Sequence, residues 1–342
     1  MEELIRQEQQ IGQYIDQGQK ELAVKFLYGL IIDYAKAKKF AVAESMRERL
    51  LQIDNMALSE IVNSAEIIEA EKSETINEQQ RGLWKQLYDS LTPEESNAFY
   101  FAAKQITLAA DRTIIKQEML NDKLFFINEG RLKLIHQQGE KEIYLKQINR
   151  GETVGQDTFF SISICTTSVI TLSSVQLNYL DLSALQKLEK QFPGFENKLH
   201  DFCLKSEDKI EDLLKKKKVE RRRHARFDVS GEITTQLLDK QNKPISIPFR
   251  GQLKDISVGG ACYYIKCPQK SSARLLLGRS AQFKILFTKD GGHLVVKTKG
   301  VIVGVNSRFF NDYTVHVRFS RLLPENQIRE WTTSPPIRTF GL

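Results

Sequence analysis

Residues 221–229 read Arg-Arg-Arg-His-Ala-Arg-Phe-Asp-Val, and residues 255–260 read Asp-Ile-Ser-Val-Gly-Gly. The first stretch carries arginines four residues apart, Arg222 and Arg226, at the point where a charged segment gives way to alternating apolar positions. The second fits the pattern D/N-x-S-x-x-G and begins 29 residues after Arg226. An arginine pair at that spacing arises by chance in a chain this basic, whereas the order, the separation and the strand context of the two together do not. Around them, short runs of period two follow one another: Phe227–Val229, Glu232–Leu238, Phe249–Leu253, Ala261–Ile265, Gln282–Phe287, Leu294–Val305 and Tyr313–Phe319. Turn signals at Asp290-Gly-Gly292 and Asn311-Asp312 divide them. Six or seven short strands in about 100 residues predict a small antiparallel barrel, closed by a helix near Pro324–Trp331.

Working back toward the N-terminus, residues 200–219 are charged and keep a helical stripe in Phe202, Cys203, Ile210, Leu213 and Leu214, which predicts a connecting helix. From Lys205 to Arg226 ten cations face five carboxylates, most of the excess behind a net charge of +7. Like charges so close together predict an arm that is loose until an anion neutralises it. Before it, residues 87–199 read as a jelly-roll: a capped helix at Thr92-Pro93, paired runs at Leu132–Leu134 and Ile143–Leu145 about the turn Gln137–Glu140, further strands at Val169–Tyr179, and a helix from Leu182 that Pro193 breaks. Residues 1–86 lack proline and repeat apolar positions at three and four, with Leu22, Val24, Phe26, Leu27, Leu30, Ile31 and Tyr34 in one stripe, so they read as a helical module. The fold class expected is therefore multidomain, α plus β: helices at 1–86, the jelly-roll, the linker 200–219, a barrel at 220–331 and a tail at 332–342.

The 342 residues are 41% hydrophobic and 27% charged, ordinary values for a globular chain of two or three domains. Apolar runs such as Phe26–Ile32 stop far short of the roughly 20 residues that span a bilayer, so a soluble, cytoplasmic protein is expected. Four cysteines without CxxC spacing and five scattered histidines give no basis for a disulfide framework, a metal site or a cofactor. There is no GxSxG, Walker A or GxGxxG pattern, and the chain is read as a non-enzyme. No helix-turn-helix follows the jelly-roll and no aromatics interleave the basic run, so nucleic acid is not expected as a partner.

Two resemblances follow. Leu124–Leu134 and Ile148–Gly155 resemble the cyclic-nucleotide-binding domain of catabolite-activator-type regulators. Where that family has Gly-Glu, this chain has Gly155-Gln156, and the family's phosphate-gripping arginine aligns with Cys165. An anion buried without a cation loses its hydration uncompensated, so cAMP and cGMP are not expected to bind. Residues 220–330, with both motifs intact, resemble a PilZ domain, the bacterial receptor module for cyclic di-GMP.

That second resemblance implies the ligand and its contacts. Cyclic di-GMP offers two phosphates and two guanines, which suits the bidentate, stacking guanidinium groups of Arg222 and Arg226. Asp255 would accept guanine N–H groups, Ser257 would add a hydroxyl, and Gly259 and Gly260 would permit close approach. Arg221 stands where family members that bind an intercalated ligand pair carry an arginine, which implies two molecules per site. The resemblance implies a signalling receptor that passes the message by interdomain rearrangement to an unidentified protein partner, met through the helical module or the jelly-roll, with a homodimer among the expected states. The alternative is a PilZ-fold adaptor that has lost its ligand and works through protein contacts alone.

Overall fold

The structure is a computed structural model that describes residues 2–206, 210–217, 224–268, 270–289, 292–307 and 312–330. Contacts divide it into two units: one runs to Lys104 and takes in Ser183–Phe202, and the other holds Gln105–Leu182 and the chain from Cys203 onward.

Helices fill the first unit. Up to Lys104 they are α1 (Glu2–Asp16), α2 (Lys20–Lys36), α3 (Phe40–Ile53), α4 (Leu58–Thr75), the short α5 (Glu78–Leu83) and α6 (Lys85–Tyr88), and α7 (Pro93–Ala102). Ile11, Leu27, Ile31, Met46, Leu50 and Ile68 pack into one core from four of them. The stripe expected on α2 is real from Val24 to Tyr34, but Leu22 falls off it and is 48% exposed, because residue 22 points away from the face carried by 23, 27, 30 and 34. Thr92 caps α7 in a reciprocal box with Glu95, the cap that the Thr-Pro pair suggested. Glu95 also takes Lys198 at 2.7 Å, fastening the returning segment to α7, where Phe195 meets Phe99 and Phe202 meets Trp84.

The second unit begins with two four-stranded sheets. β1 (Lys104–Leu108), β9 (Val175–Asp181), β3 (Lys123–Glu129) and β6 (Thr153–Val154) make one sheet. β2 (Thr113–Ile115), β8 (Ser168–Thr171), β4 (Leu132–Gln138) and β5 (Lys141–Ile148) make the other. Leu132, Leu134, Val169, Leu177 and Phe125 fill the space between the sheets. A short helix α8 (Gln156–Phe159) and strand β7 (Ile162–Ser163) lie between β6 and β8. After β9, α9 (Leu182–Gln191) and α10 (Phe195–Ser206) are separated at Pro193, as the proline required, and α11 (Ile210–Lys216) follows. The tract expected only to connect does more than that: Leu213 and Leu214 of α11 are buried in the jelly-roll core beside Leu134 and Ile148.

The barrel is built from β10 (Phe227–Asp228), β11 (Gly231–Leu237), β12 (Phe249–Ser257), β13 (Gly260–Lys266), β14 (Ser280–Lys289), β15 (Gly292–Ser307) and β16 (Asp312–Phe319), and α12 (Lys270–Arg274) and α13 (Glu325–Glu330) add Ala273 and Ile328 to its core. Strands run in the order β12-β11-β14-β15-β16-β13, and β13 pairs back on β12, which closes a six-stranded antiparallel ring. Period-two alternation sends Ile233, Tyr263, Phe283, Ile285, Val315 and Val317 inward. β7 of the jelly-roll adds to this sheet. Ile162 lies opposite Val305 and Ser163 opposite Gly304, the Ile164 N–H donates to the Val303 carbonyl at 3.1 Å, and Ile162 is buried in the barrel's own core. The two β-domains are therefore joined by a shared sheet as well as by the arm.

Candidate functional site

Arg226 stands immediately before β10, and β10 lies antiparallel to β12 with Phe227 opposite Ile256 and Asp228 opposite Asp255. That register carries Arg226 back to the second motif, where its Nη1 is 3.1 Å from Asp255 Oδ1. β12 shifts register between Leu253 and Asp255, so Leu253 and Ile256 both face the core while Asp255 and Ser257 turn to the outer surface. Asp255 is only 5% exposed, and a buried carboxylate needs such a partner. The two motifs, 29 residues apart, thus meet in one ion pair.

Ser257 and Gly260 close the β12–β13 hairpin: Ser257 lies opposite Gly260 and its hydroxyl donates to the Gly260 carbonyl at 3.2 Å. The tip is tied down further, since Phe319 N–H donates to the Gly259 carbonyl and Leu323 N–H to that of Val258. Neither glycine has a positive φ. Their need is spatial: a Cβ on Gly259 would come 2.8 Å from the His224 ring, and one on Gly260 would strike the Val317 carbonyl oxygen. Arg221 and Arg222 lie outside the described residues. Arg226, Asp255, Ser257, Gly259 and Gly260 are gathered at one end of the barrel.

Sequence reasoning missed Arg318. It lies directly opposite Gly260 across the β13–β16 ladder and is exposed on the barrel's outer surface, the surface that carries Asp255 and Ser257. Its Nη1 is 3.1 Å from Glu118 Oε2 of the jelly-roll. The alternation in Tyr313–Phe319 was enough to place Arg318 outward, but nothing in the sequence set β16 beside the hairpin.

In the jelly-roll, Gly155, Gln156, Thr158, Cys165 and Thr167 line a hollow that Ile210 and Leu213 of α11 cover. Its volume is about 30 Å³, room for a water or two. Gly155 has φ +98° where β6 enters α8, and a Cβ there would lie 2.6 Å from the Lys123 carbonyl oxygen. Among the described residues no arginine lines the hollow, and Lys146, which does, is paired with Glu152 at 3.0 Å. Burial pushes the Cys165 thiol up, so it stays protonated and neutral where a phosphate would need positive charge.

Residues 105–192 match the cyclic nucleotide-binding domain, and residues 220–334 match the PilZ domain. Both are ligand-binding families, not catalytic ones. No curated protein matched the chain. Among solved structures, the N-terminal domain of a Streptomyces coelicolor transcriptional regulator is 23% identical, over 35% of this chain and 86% of that one, with a TM-score of 0.32. A cyclic nucleotide-binding-like protein from Brucella abortus is 19% identical, over 30% of this chain and 90% of its own, at 0.29. The catabolite activator protein of Thermus thermophilus is 19% identical, over 35% and 57%, at 0.31. No helix among the described residues is long and apolar enough to cross a membrane.

Proposed function

We propose that this protein is a receptor for cyclic di-GMP, bound on the outer face of the barrel where Arg226 meets Asp255. The observation that carries this reading is the ion pair that unites the two PilZ motifs beside the Ser257–Gly260 hairpin. A phosphate can share Arg226 with Asp255, because a guanidinium has five N–H donors and the carboxylate uses few of them. Asp255 retains acceptors for guanine N–H groups. Arg221 and Arg222 would add cations from the arm and admit a second ligand molecule. The jelly-roll, its small hollow covered by α11 and lined by a neutral thiol, serves as a scaffold that presents the barrel and a partner-binding surface, and it ignores cAMP and cGMP. Ligand held by the arm would move α11, its direct continuation, and so carry the signal to a protein partner.

Calorimetry tests this. Wild type should bind cyclic di-GMP, and Arg226→Ala or Asp255→Ala should weaken binding roughly tenfold to a hundredfold, the effect of losing a charge-assisted contact worth about 1.5–3 kcal/mol. One observation favours the adaptor instead: Arg226 and Asp255 already satisfy each other, so the surface is self-consistent without a ligand. Absence of any heat with cyclic di-GMP in the wild type decides for the adaptor.

A further inference from the structure

Resting on the receptor reading, we propose that Arg318 is a further ligand-binding cation, held in the free protein by Glu118 of the jelly-roll and released to the ligand on binding. Ser257, Gly260 and Arg318 form one row across β12, β13 and β16. Adjacent strands lie about 4.8 Å apart, so Arg318 starts roughly 10 Å from Ser257, and its long side chain, once released from Glu118, can turn toward a ligand lying over the glycine between them. Gly260 leaves that path open, because any side chain there would stand between the arginine and Ser257. The strands hold this spacing firmly: Gly260 and Gly300, on the two sides of β16, both touch its backbone too closely to admit a Cβ.

Arg318 is about half exposed and so is Glu118, so their pair is an exposed one, weak enough to exchange. Glu118 is not a free surface residue, however. Its N–H donates to the Cys165 carbonyl at 2.8 Å, and Cys165 N–H donates to the Met119 carbonyl at 2.9 Å. Cys165 in turn lines the hollow under α11 and follows the β7 segment that is paired to β15. A ligand phosphate that takes Arg318 away from Glu118 therefore removes a contact between the barrel and the loop that lines that hollow. The ligand contributes the driving force through a phosphodiester that a guanidinium can grip bidentately, and the displaced carboxylate returns to water.

The test is a double-mutant cycle on the full chain, read by calorimetry with cyclic di-GMP. Arg318→Ala should weaken binding about tenfold or more, with Arg318→Lys in between, because an ammonium keeps the charge but loses the bidentate fork. Glu118→Gln should tighten binding about twofold to fivefold by removing the competitor, and should change nothing once Arg318 is alanine. Circular dichroism and melting of each variant identify one that fails to fold, in which case the Glu118→Gln arm, a surface change, still decides. If wild type binds and Arg318→Ala binds equally well, or Glu118→Gln leaves affinity unchanged, the latch is wrong and the receptor reading stands. If wild type does not bind, both fall together.

Discussion

Gly260 shows how narrow the tolerance is at single residues. Its φ is ordinary for any amino acid, so the usual reason for a glycine does not apply, and what excludes a side chain is the Val317 carbonyl on the neighbouring strand. Backbone cannot rotate aside as a flexible side chain can. Gly260→Ala should therefore destabilise the barrel by about 1–3 kcal/mol, as overpacking does, and should weaken cyclic di-GMP binding at the same time by pushing β16 from the hairpin. A urea titration and a binding isotherm on the same variant check both; a variant as stable as wild type would show that β16 does not need to lie so close.

Tyr263 makes the opposite point inside the barrel. It is fully buried, its hydroxyl is 2.8 Å from that of Thr235, and burial pushes its phenol well above the ordinary value near 10. Below pH 10 the folded and unfolded chains both hold a neutral phenol there, so its contribution to stability is complete. Above pH 10 the unfolded chain loses the proton while the folded one keeps it, and stability falls as pH rises. Tyr263→Phe should remove that alkaline slope from the barrel's unfolding and cost about 1–3 kcal/mol at neutral pH, because Thr235 is left buried without its partner. Denaturation followed at pH 8 and pH 11 separates the two effects.

At the scale of elements, much of the barrel was legible and the reason is periodicity. Most runs of alternating residues from Phe227 to Phe319 became strands close to their expected limits, because inward positions such as Ile233, Phe283 and Val315 have no other apolar environment to enter; β12 alone runs well past its expected end at Leu253, to Ser257. The helix break at Pro193 and the cap at Thr92 were equally local and equally readable. What alternation does not encode is which strand lies beside which. The pairing of β13 with β16, the addition of β7 to β15 and the pairing of Arg318 with Glu118 are all contacts between segments distant in sequence, with no local signature. Of the site, the two motifs were readable as residue types at a spacing. That Asp255 and Arg226 would hold each other depended on the β10 register and on the bulge before Asp255.

For the whole molecule, the contacts draw the line between the helical unit and a second unit that contains jelly-roll and barrel together. Ile162 is the clearest cause, since a residue of the jelly-roll is buried in the core of the barrel and its strand extends the barrel's sheet. A charge at that place would be enclosed without a partner, so Ile162→Asp should cost about 3 kcal/mol or more and should loosen both β-domains. Calorimetric unfolding of the full chain should then resolve two transitions. Cyclic di-GMP at a hundred times its Kd adds about 2.7 kcal/mol to the state that binds it, which corresponds to a rise of roughly 5–10 °C for a unit of this size. That rise should appear in the transition that Ile162→Asp lowers and leave the other unmoved. A ligand-induced rise in the transition that Ile162→Asp spares would place the binding site in the helical unit and remove the barrel from the signalling role assigned to it.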